Sequence, residues 1–508
     1  MAATRTLVKE AAYYSMSSIV WRIFNILMLP IFTYVMSPAG GEYGLMTNLY
    51  GWGSLFTVLL SMGLETTFMR IAGEEEQGIS PARAYSTAVI TLMAAVALFV
   101  AIGLWQAPHI AMLLGYPTHR VELRLMLCVI AIDALLVLPY CYLRYTHQAH
   151  KYAFFKALYG MLNAVLCFYV LVVCPILQQR WPGGLLWDFY IDNNALGYVL
   201  GCNIVAGVLV LYMLIEVWNP FGTFLSSTGR SYTFRYIFDA KLFSRSIRYA
   251  LPILGASVIS IGIQNADRIL YPWLVPGPAG MSQLSIYGAC FRIAMIMALV
   301  TQVLRDLLEP VMFRARSAHD THYATSQLIM RYFIITALSV FMLVTACSDV
   351  IRVYLLRDMF YWEGMSIVPV LMASELMLGL QFYYSFWYKL SDAPGWGTLF
   401  SAITFVVIVG IDICLVPRMG YMACAIAILT GNVLLTVLTY CVGRSRSAFC
   451  FKIGGLKRHL LAAVVAYGLM LVPYTSHRMG LRLSILALYC IAVIAIERIQ
   501  RQDNGLSF

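Results

Sequence analysis

The chain has 508 residues, of which 61% are hydrophobic and only 12% are charged, and its formal net charge is +11 at pH 7. An ordinary soluble domain carries about a quarter charged residues, so this composition excludes that class and indicates a protein that folds in lipid. The 12 cysteines are scattered without a CxxC pair, which argues against a disulfide framework and against a metal site.

In a bilayer every backbone N–H and C=O group must be satisfied internally, so a spanning structure is either helical or a closed barrel. A barrel would show segments of about ten residues in which apolar and polar side chains alternate. Here the apolar runs are continuous and about 20 residues long, as in 84–104. The sequence therefore predicts an all-α polytopic membrane protein.

The first apolar run, 13–36, follows Arg5 and Lys9 and is too long for a signal peptide, so we predict that it is retained as the first span. About 14 transmembrane helices are predicted in total. In chain order they cover 13–36, 43–69, 83–106, 121–145, 152–176, 196–217, 243–274, 284–312, 328–348, 365–390, 397–416, 420–440, 459–475 and 481–497.

The basic residues are distributed unevenly between the loops on the two sides of these spans. With the N-terminus in the cytoplasm, the even-numbered loops and both tails hold roughly 23 of the 35 Lys and Arg residues, and the odd-numbered loops roughly 8. This asymmetry predicts a multi-pass inner-membrane protein with both termini in the cytoplasm. Because the positive charge lies in short loops, where it contacts anionic phospholipids, nucleic acid is excluded as a partner.

No separate soluble domain is predicted. The longest stretches outside the spans, 177–195 and 218–242, have about 20 to 25 residues and are too short to bury a core of their own. The second stretch has the composition of an interfacial amphipathic helix. Its aromatic and basic residues include Phe221, Phe224, Tyr232, Phe234 and Arg235.

A weak internal repeat indicates two lobes. The order LP, PAG and YG at 29–44 recurs as YP, PAG and YG at 271–288. The offset of about 240 residues equals six spans, which predicts two six-helix lobes with a parallel pseudo-two-fold repeat plus two C-terminal helices. The predicted divisions are 1–217 for the N-terminal lobe, 218–242 for a cytoplasmic basic linker, 243–440 for the C-terminal lobe, and 441–508 for the last two spans and a cytoplasmic tail.

Arginines within the predicted spans are candidates for substrate binding, because a charge at a helix centre costs at least about 2.5 kcal/mol in lipid. Arg22, Arg268 and Arg292 lie in spans 1, 7 and 8. We expect them to line a hydrated cationic lumen between the lobes. A guanidinium binds phosphate bidentately and stays protonated when partly desolvated, so this lumen would suit an anionic group such as a pyrophosphate.

Carboxyls at the same depth are candidates for coupling transport to an ion gradient. Asp133, Asp267 and Glu375 are the residues concerned, with H⁺ or Na⁺ as the coupling ion, because a buried carboxyl can exchange protons. Internal pairing is the alternative reading of all these charges. Asp267 and Arg268 project about 100° apart on a helix, so one could line the cavity while the other ties span 7 to a neighbour.

Short motifs resemble those of the bacterial polysaccharide-biosynthesis flippases, the O-antigen type. They are RYALP at 248–252 and QNADRIL at 264–270 in the second half, and EYGLM at 42–46 and GLETTFMR at 63–70 in the first half. The resemblance covers most of 10–440. The multidrug, oligosaccharidyl-lipid and polysaccharide (MOP) exporter superfamily also contains the MATE drug pumps and the peptidoglycan-precursor flippase.

The resemblance implies alternating access between two six-helix lobes and export of a polyprenyl-pyrophosphate-linked oligosaccharide, a cell-envelope polysaccharide precursor such as that of O-antigen lipopolysaccharide, to the periplasmic face. It also implies a cationic lumen, with Arg22 and the Asp267–Arg268 pair at matching positions, and coupling to an ion gradient. Other polysaccharide-assembly membrane proteins are candidate partners, and no cofactor is expected.

Two other functions compete with this interpretation. A MATE-like antiporter of organic cations would need a net acidic cavity, whereas the charges at mid-depth are about balanced. A membrane-embedded polysaccharide polymerase or ligase would need a large outer loop, and no catalytic or metal-ligand spacing is evident. We therefore predict a transporter rather than an enzyme.

Overall fold

The computed structural model describes residues 2–36, 38–73, 80–184, 186–191, 194–218, 223–226, 231–233, 237–315, 321–391, 393–446, 456–472 and 478–503. Helices make up nearly all of these residues. Their bounds are α1 (Ala2–Leu27), α2 (Leu29–Val35), α3 (Glu42–Ser61), α4 (Leu64–Ala72), α5 (Pro81–Leu113), α6 (Arg120–Tyr145), α7 (Ala149–Phe168), α8 (Cys174–Arg180), α9 (Ala195–Trp218), α10 (Ala240–Leu274), α11 (Pro278–Ala315), α12 (Thr321–Ala346), α13 (Ser348–Leu355), α14 (Val368–Tyr384), α15 (Phe386–Leu390), α16 (Gly395–Met419), α17 (Tyr421–Arg446), α18 (Leu456–Leu471) and α19 (Met479–Asp503).

The predicted all-α membrane fold is confirmed. Within the described residues, 12 helical segments are long and apolar enough to cross a membrane, several of them made of two successive helices. The other two predicted spans also lie on helices, since α6 covers 121–145 and α18 covers the first part of 459–475. Three short irregular turns connect or extend helices, namely the 3₁₀ turns Pro38–Gly40 and Met359–Ile367 and the π-helical turn Tyr169–Val173.

The second predicted span is broken into α3 and α4 by the local backbone. Met62 and Gly63 both have positive φ, 46° and 65°, and this left-handed conformation ends α3. Gly63 adopts it without steric cost because it has no Cβ. The chain turns here, and α4 packs against α10 and α5. Hydropathy alone predicted one continuous helix over 43–69.

The predicted interfacial helix in the linker is wrong where the structure describes it. Thr223–Leu225 and Ser231–Thr233 form a short antiparallel hairpin, β1 and β2. Phe224 is 1% exposed and packs against Tyr85 of α5 and Tyr142 of α6. Burying this ring in an aromatic cluster removes it from the interface that an amphipathic helix would occupy. Phe221, Phe234 and Arg235 lie outside the described residues.

The chain divides into two compact units, one of 1–288 with 409–421 and the other of 289–408 with 422–508. The core of the first unit lies between α6, α7 and α9, and includes Leu136, Phe155, Ala206 and Val210. The core of the second contains a hydrophobic cluster of Trp387, Tyr388, Phe400 and Leu435 on α15, α16 and α17. The lobe boundaries expected from the repeat stay a prediction.

Two glycines from the predicted repeat allow close packing within the first unit. A Cβ at Gly44 on α3 would collide with the carbonyl of Met281 on α11, and a Cβ at Gly288 would collide with Thr47. The Gly44 N–H donates to Ser285 Oγ at 2.8 Å. Each glycine thus lets α3 approach the first turns of α11 closely.

Candidate functional site

Arg22 lies within the first span, Met16–Val35, on α1, and is half-buried. The helix is held against α7 beside it, where Trp21 packs on Tyr159 with ring centroids 5.3 Å apart. Arg22 makes no hydrogen bond or ion pair with any residue that the structure describes. A half-buried guanidinium at this depth without a protein counter-ion requires compensation by water or by an anion.

Arg268 and Arg292 are also half-buried, but they belong to different units, Arg268 to the first and Arg292 to the second. The position of Arg268 is fixed through its own backbone, because Asn48 Nδ2 of α3 donates to its carbonyl oxygen at 2.6 Å. Its Nη1 atom donates to Asn265 Oδ1 at 3.4 Å, one turn earlier on α10. The common lumen of the three arginines stays a prediction.

Asp133 takes part in a hydrogen-bonded chain across four helices of the first unit, α6, α7, α9 and α3. Tyr159 Oη on α7 lies 2.9 Å from Asp133 Oδ1 on α6 and 2.5 Å from Asn203 Oδ1 on α9. Asn203 Nδ2 in turn donates to Tyr50 Oη at 2.9 Å. Asp133 is thus hydrogen-bonded within the first unit, where it links α6 to α7, and its coupling role stays a prediction.

Asp267 and Asp412 are two buried carboxyls of the first unit that lie near each other. Asp267 on α10 is 2% exposed and accepts a hydrogen bond from the Tyr287 hydroxyl. Asp412 on α16 is 0% exposed, and neither of its carboxyl oxygens has a hydrogen-bond partner within the described part of the chain. The two carboxyls are close enough to interact electrostatically. Two such groups cannot both stay ionised without a compensating cation or proton, and Arg268 is a cation that acts on Asp267.

Asp412 was not among the coupling candidates predicted from sequence, although it lies within the predicted span 397–416. In the sequence it is a lone carboxyl within the apolar run IVGIDICLV. This pattern indicates that placing the carboxyl in the membrane costs free energy, but it does not show which side chains surround it. Only the packing of α16 against its neighbours brings it near Asp267. Glu375, the third predicted candidate, is half-buried on α14 in the second unit.

Metal-binding chemistry has no support among the residues described, since no cluster of three or more His, Cys, Asp or Glu side chains could hold a metal ion there. His119 and Glu122 form a partly buried pair, with Nδ1 and Oε1 3.4 Å apart.

Comparison with solved structures identifies the same fold in membrane transporters. Lipid II flippase MurJ in an inward closed conformation matches with a TM-score of 0.64 at 13% identity, over 98% of this chain and 99% of MurJ. An inward-facing multidrug resistance MATE family transporter of the MOP superfamily matches with a TM-score of 0.64 at 12% identity, over 85% of this chain and 98% of the transporter. MATE in the straight conformation matches at 0.57 and 13% identity, over 87% and 96%.

At these identities the likeness shows a shared fold. No curated protein matches the chain by sequence. A model of the polysaccharide biosynthesis protein family matches residues 7–315, which is more than half of the chain and includes all four motifs that carry the resemblance. The chain belongs to the polysaccharide biosynthesis protein family and has the multi-pass helical fold of the MOP transporters.

Proposed function

We propose that the protein is a flippase that moves a polyprenyl-pyrophosphate-linked oligosaccharide from the cytoplasmic to the periplasmic face of the bacterial inner membrane by alternating access. The observation that carries this proposal is Arg22, a half-buried arginine within a span that has no counter-ion among the described residues. Membership of a polysaccharide biosynthesis family supplies the substrate class.

The chemistry of the substrate fits this arginine. A pyrophosphate must lose water to cross the bilayer, and a bidentate guanidinium replaces two of its hydrogen bonds at once. Arg268 and Arg292 would add positive charge along the path. All three are half-buried, so none of them is sealed in the packed interior of its unit. The oligosaccharide would be an envelope precursor of the O-antigen type, and other assembly proteins of the membrane would supply and consume it.

We also propose that the buried pair Asp267 and Asp412 couples transport to an ion gradient. A carboxyl with no partner for either oxygen is unstable when charged, so Asp412 would take up H⁺ or share Na⁺ with Asp267. Asp133 is less suited to this role, because one of its oxygens is already hydrogen-bonded with Tyr159. Glu375 stays a candidate in the other unit.

Translocation of a fluorescent polyprenyl-pyrophosphate-linked oligosaccharide by purified protein in liposomes tests the proposal. The Arg22→Ala variant should lose at least about tenfold in rate, and Arg22→Lys should recover only part, since the bidentate fork is lost. Lys156→Ala is the matched control. Lys156 is a half-buried cation on the neighbouring α7, but its Nζ lies 3.3 Å from Tyr152 Oη and 3.5 Å from Ser18 Oγ.

Wild-type rates in both Arg22 variants would refute the cationic pathway. Absence of lipid transport together with efflux of an organic cation would favour the MATE-like antiporter, the function that the buried carboxyls support as an alternative. Formation of longer glycans from the same lipid would instead indicate a polymerase.

The same liposomes test the coupling proposal when the proton or sodium gradient is imposed or dissipated. We expect translocation by the wild type to depend on one gradient and the Asp412→Asn variant to lose that dependence. Asp188→Asn is the control, because this carboxylate lies in an exposed loop and accepts from the Gly183 N–H at 2.8 Å. Equal gradient dependence in wild type and Asp412→Asn would exclude Asp412 as the coupling group.

A further inference from the structure

A short amphipathic helix, α13, follows the membrane-crossing helix α12 in the second unit. The span on α12 is Thr325–Ala346, and its 22 residues rise about 33 Å, close to the thickness of the hydrocarbon core. α13 therefore begins where the chain leaves the hydrocarbon, on the side predicted to be periplasmic. None of its 8 residues is buried, so the protein does not enclose this helix.

The charged side chains of α13 contact the rest of its own unit. Asp349 and Arg352 lie one turn apart, with Asp349 Oδ1 3.1 Å from Arg352 Nη2. Asp349 also pairs with Arg482 of α19, which is only 5% exposed and donates to Ser348 Oγ at 2.5 Å. The Arg352 guanidinium lies over the ring of Trp362, with Cζ 5.0 Å from the ring centroid. Both charges of this helix thus have partners within the protein.

The apolar side chains of α13 lie on another face, which is exposed. Val350, Val353 and Tyr354 are at positions i, i+3 and i+4, so they share one face of the helix, and Tyr354 is 64% exposed. The turn that follows adds Met359 and Phe360, which are 65% and 59% exposed. A helix that faces water shows the reverse arrangement, with apolar side chains inward and charged side chains outward.

We propose that α13 is an interfacial helix whose exposed apolar face binds the surface of the lipid bilayer, at the boundary between headgroups and acyl chains. Its position at the end of a span places it at this depth, and an outward apolar face fits lipid rather than water. The amphipathic ring of Tyr354 is of the kind enriched at membrane interfaces. Arg357 and Glu363 are also exposed, and the polar headgroups accommodate such charges.

The proposed lipid surface is continuous with one that the span itself requires. Leu343 lies in the last turn of the α12 span and is 49% exposed, so acyl chains cover it in a membrane. The bilayer therefore reaches the end of α12, one residue before α13 begins. Because Ser348 and Asp349 contact Arg482, lipid bound to α13 would also hold the start of α19 at headgroup depth.

Photolabelling from the lipid tests the proposal on the full-length protein in liposomes. One phosphatidylcholine probe carries a diazirine next to the glycerol and a second carries it at the end of an acyl chain, and tandem mass spectrometry locates the adducts. We expect residues 350–360 to be labelled mainly by the first probe. Val406, 68% exposed near the middle of the α16 span, is the internal control and should be labelled mainly by the second. No labelling of 350–360 by either probe would overturn the proposal.

A substitution tests whether the apolar face itself makes the contact. Val353→Asp places a carboxylate on this face and should lower labelling of 350–360 by the first probe at least about threefold, because the burial of that valine in lipid is lost. Ser366→Asp introduces the same charge at an exposed position outside α13 and should leave the labelling unchanged. Both variants should keep the wild-type helix content, which circular dichroism checks. Equal labelling of the two variants would contradict binding through the apolar face.

Two other coverings of this face are outcomes of the same experiment. Labelling of 350–360 by a water-soluble diazirine but by neither lipid probe would place the face in water. Shielding from all three probes, with a chemical cross-link between two copies through this segment, would assign the face to a second copy of the chain. Either result would overturn the proposal, whichever substrate the protein carries.

Discussion

Tyr159 has one hydroxyl proton but lies within hydrogen-bonding distance of two acceptor oxygens, those of Asp133 and Asn203. One of the two neighbours must therefore supply the second proton. Either Asp133 is protonated, or the Asn203 amide is reversed and donates its N–H to the tyrosine. Both arrangements keep this network satisfied at the centre of the first unit, where Asn203 is 4% exposed.

Replacing Tyr159 with Phe removes the link between these groups while keeping the ring. Buried polar atoms on Asp133 and Asn203 then lose their partner, so we expect the free energy of unfolding to fall by about 1–3 kcal/mol. Unfolding by titration with denaturing detergent measures this change. Tyr212→Phe, at an exposed ring on α9, is the control and should change stability little. An unchanged Tyr159→Phe protein would contradict the assigned network.

His119 precedes the first residue of α6, and its contact with Glu122 makes the stability of this end of the helix depend on pH. The hydrogen bond to the carboxylate raises the pKa of His119 above its ordinary value of 6.5, with partial burial opposing. The folded protein therefore binds the proton more tightly than the unfolded chain. The stabilisation is complete below about pH 6.5 and is lost as the pH rises through the raised pKa.

We expect the His119→Ala variant to melt below the wild type at about pH 6 and together with it at about pH 9. The difference should be small, because the His119 side chain is 38% exposed and solvent screens the pair. In a Glu122→Gln background the pH dependence of the difference should become much smaller, with the charge of Glu42 accounting for what remains. A difference that persists unchanged at high pH would show that the imidazole acts by packing alone.

At the scale of elements, the crossing of α3 and α11 depends on the absence of side chains at two glycines. Gly44→Ala places a methyl group against the Met281 carbonyl and against Ser285, both on α11. The Met281 carbonyl is backbone and cannot move aside easily. We expect a loss of about 1–3 kcal/mol in the free energy of unfolding, the usual cost of overpacking. Gly255→Ala on α10 is the control, since a Cβ there meets nothing within 4 Å. Equal stability of the two variants would contradict the close crossing.

The C-terminal helix α19 is fixed to the second unit by ion pairs near both its ends. Arg482 pairs with Asp349 and donates to Ser348 Oγ at 2.5 Å. Near the other end, Glu497 Oε1 lies 2.6 Å from Arg331 Nη2 and 3.3 Å from Nε2 of the buried His459. These pairs tie α19 to α12, α13 and α18.

Removing the Glu497 carboxylate takes away the counter-charge of a mostly buried guanidinium. We expect Glu497→Ala to lower the free energy of unfolding by about 3 kcal/mol and to make α19 sensitive to protease before the rest of the unit. Glu363→Gln changes an exposed carboxylate and serves as the control. If α19 stays as resistant as in the wild type, the ion pair does not hold it in place.

For the whole molecule, the distribution of Lys and Arg predicts both termini in the cytoplasm. A reporter enzyme that is active only in the periplasm should be active when inserted in the loop between α8 and α9 and inactive when fused after residue 508. Reversing the charge bias of the first loops should shift this pattern. Activity of the C-terminal fusion in the wild type would contradict the predicted orientation.

The positions of the spans were predictable from the sequence, because hydropathy measures directly which segments are stable in lipid. The break at Met62 and Gly63 was missed, since it arises from a local backbone conformation within an otherwise apolar run. The linker hairpin was missed for another reason. An aromatic residue such as Phe224 is as common at a membrane interface as in a buried aromatic cluster, so the sequence does not distinguish the two positions. Its packing against Tyr85 and Tyr142 in the structure does.

By itself, the sequence determined that the chain is helical, that it crosses a membrane many times and that it belongs to a polysaccharide biosynthesis family. These properties follow from composition and short motifs, because the bilayer forces each apolar segment to satisfy its own backbone. Tertiary structure decided which charged side chains of the helices have partners. Glu65 pairs with Arg144 and Glu497 with Arg331, whereas the oxygens of Asp412 have none among the described residues. Such pairing depends on which distant helices become neighbours, and hydropathy carries no information about that.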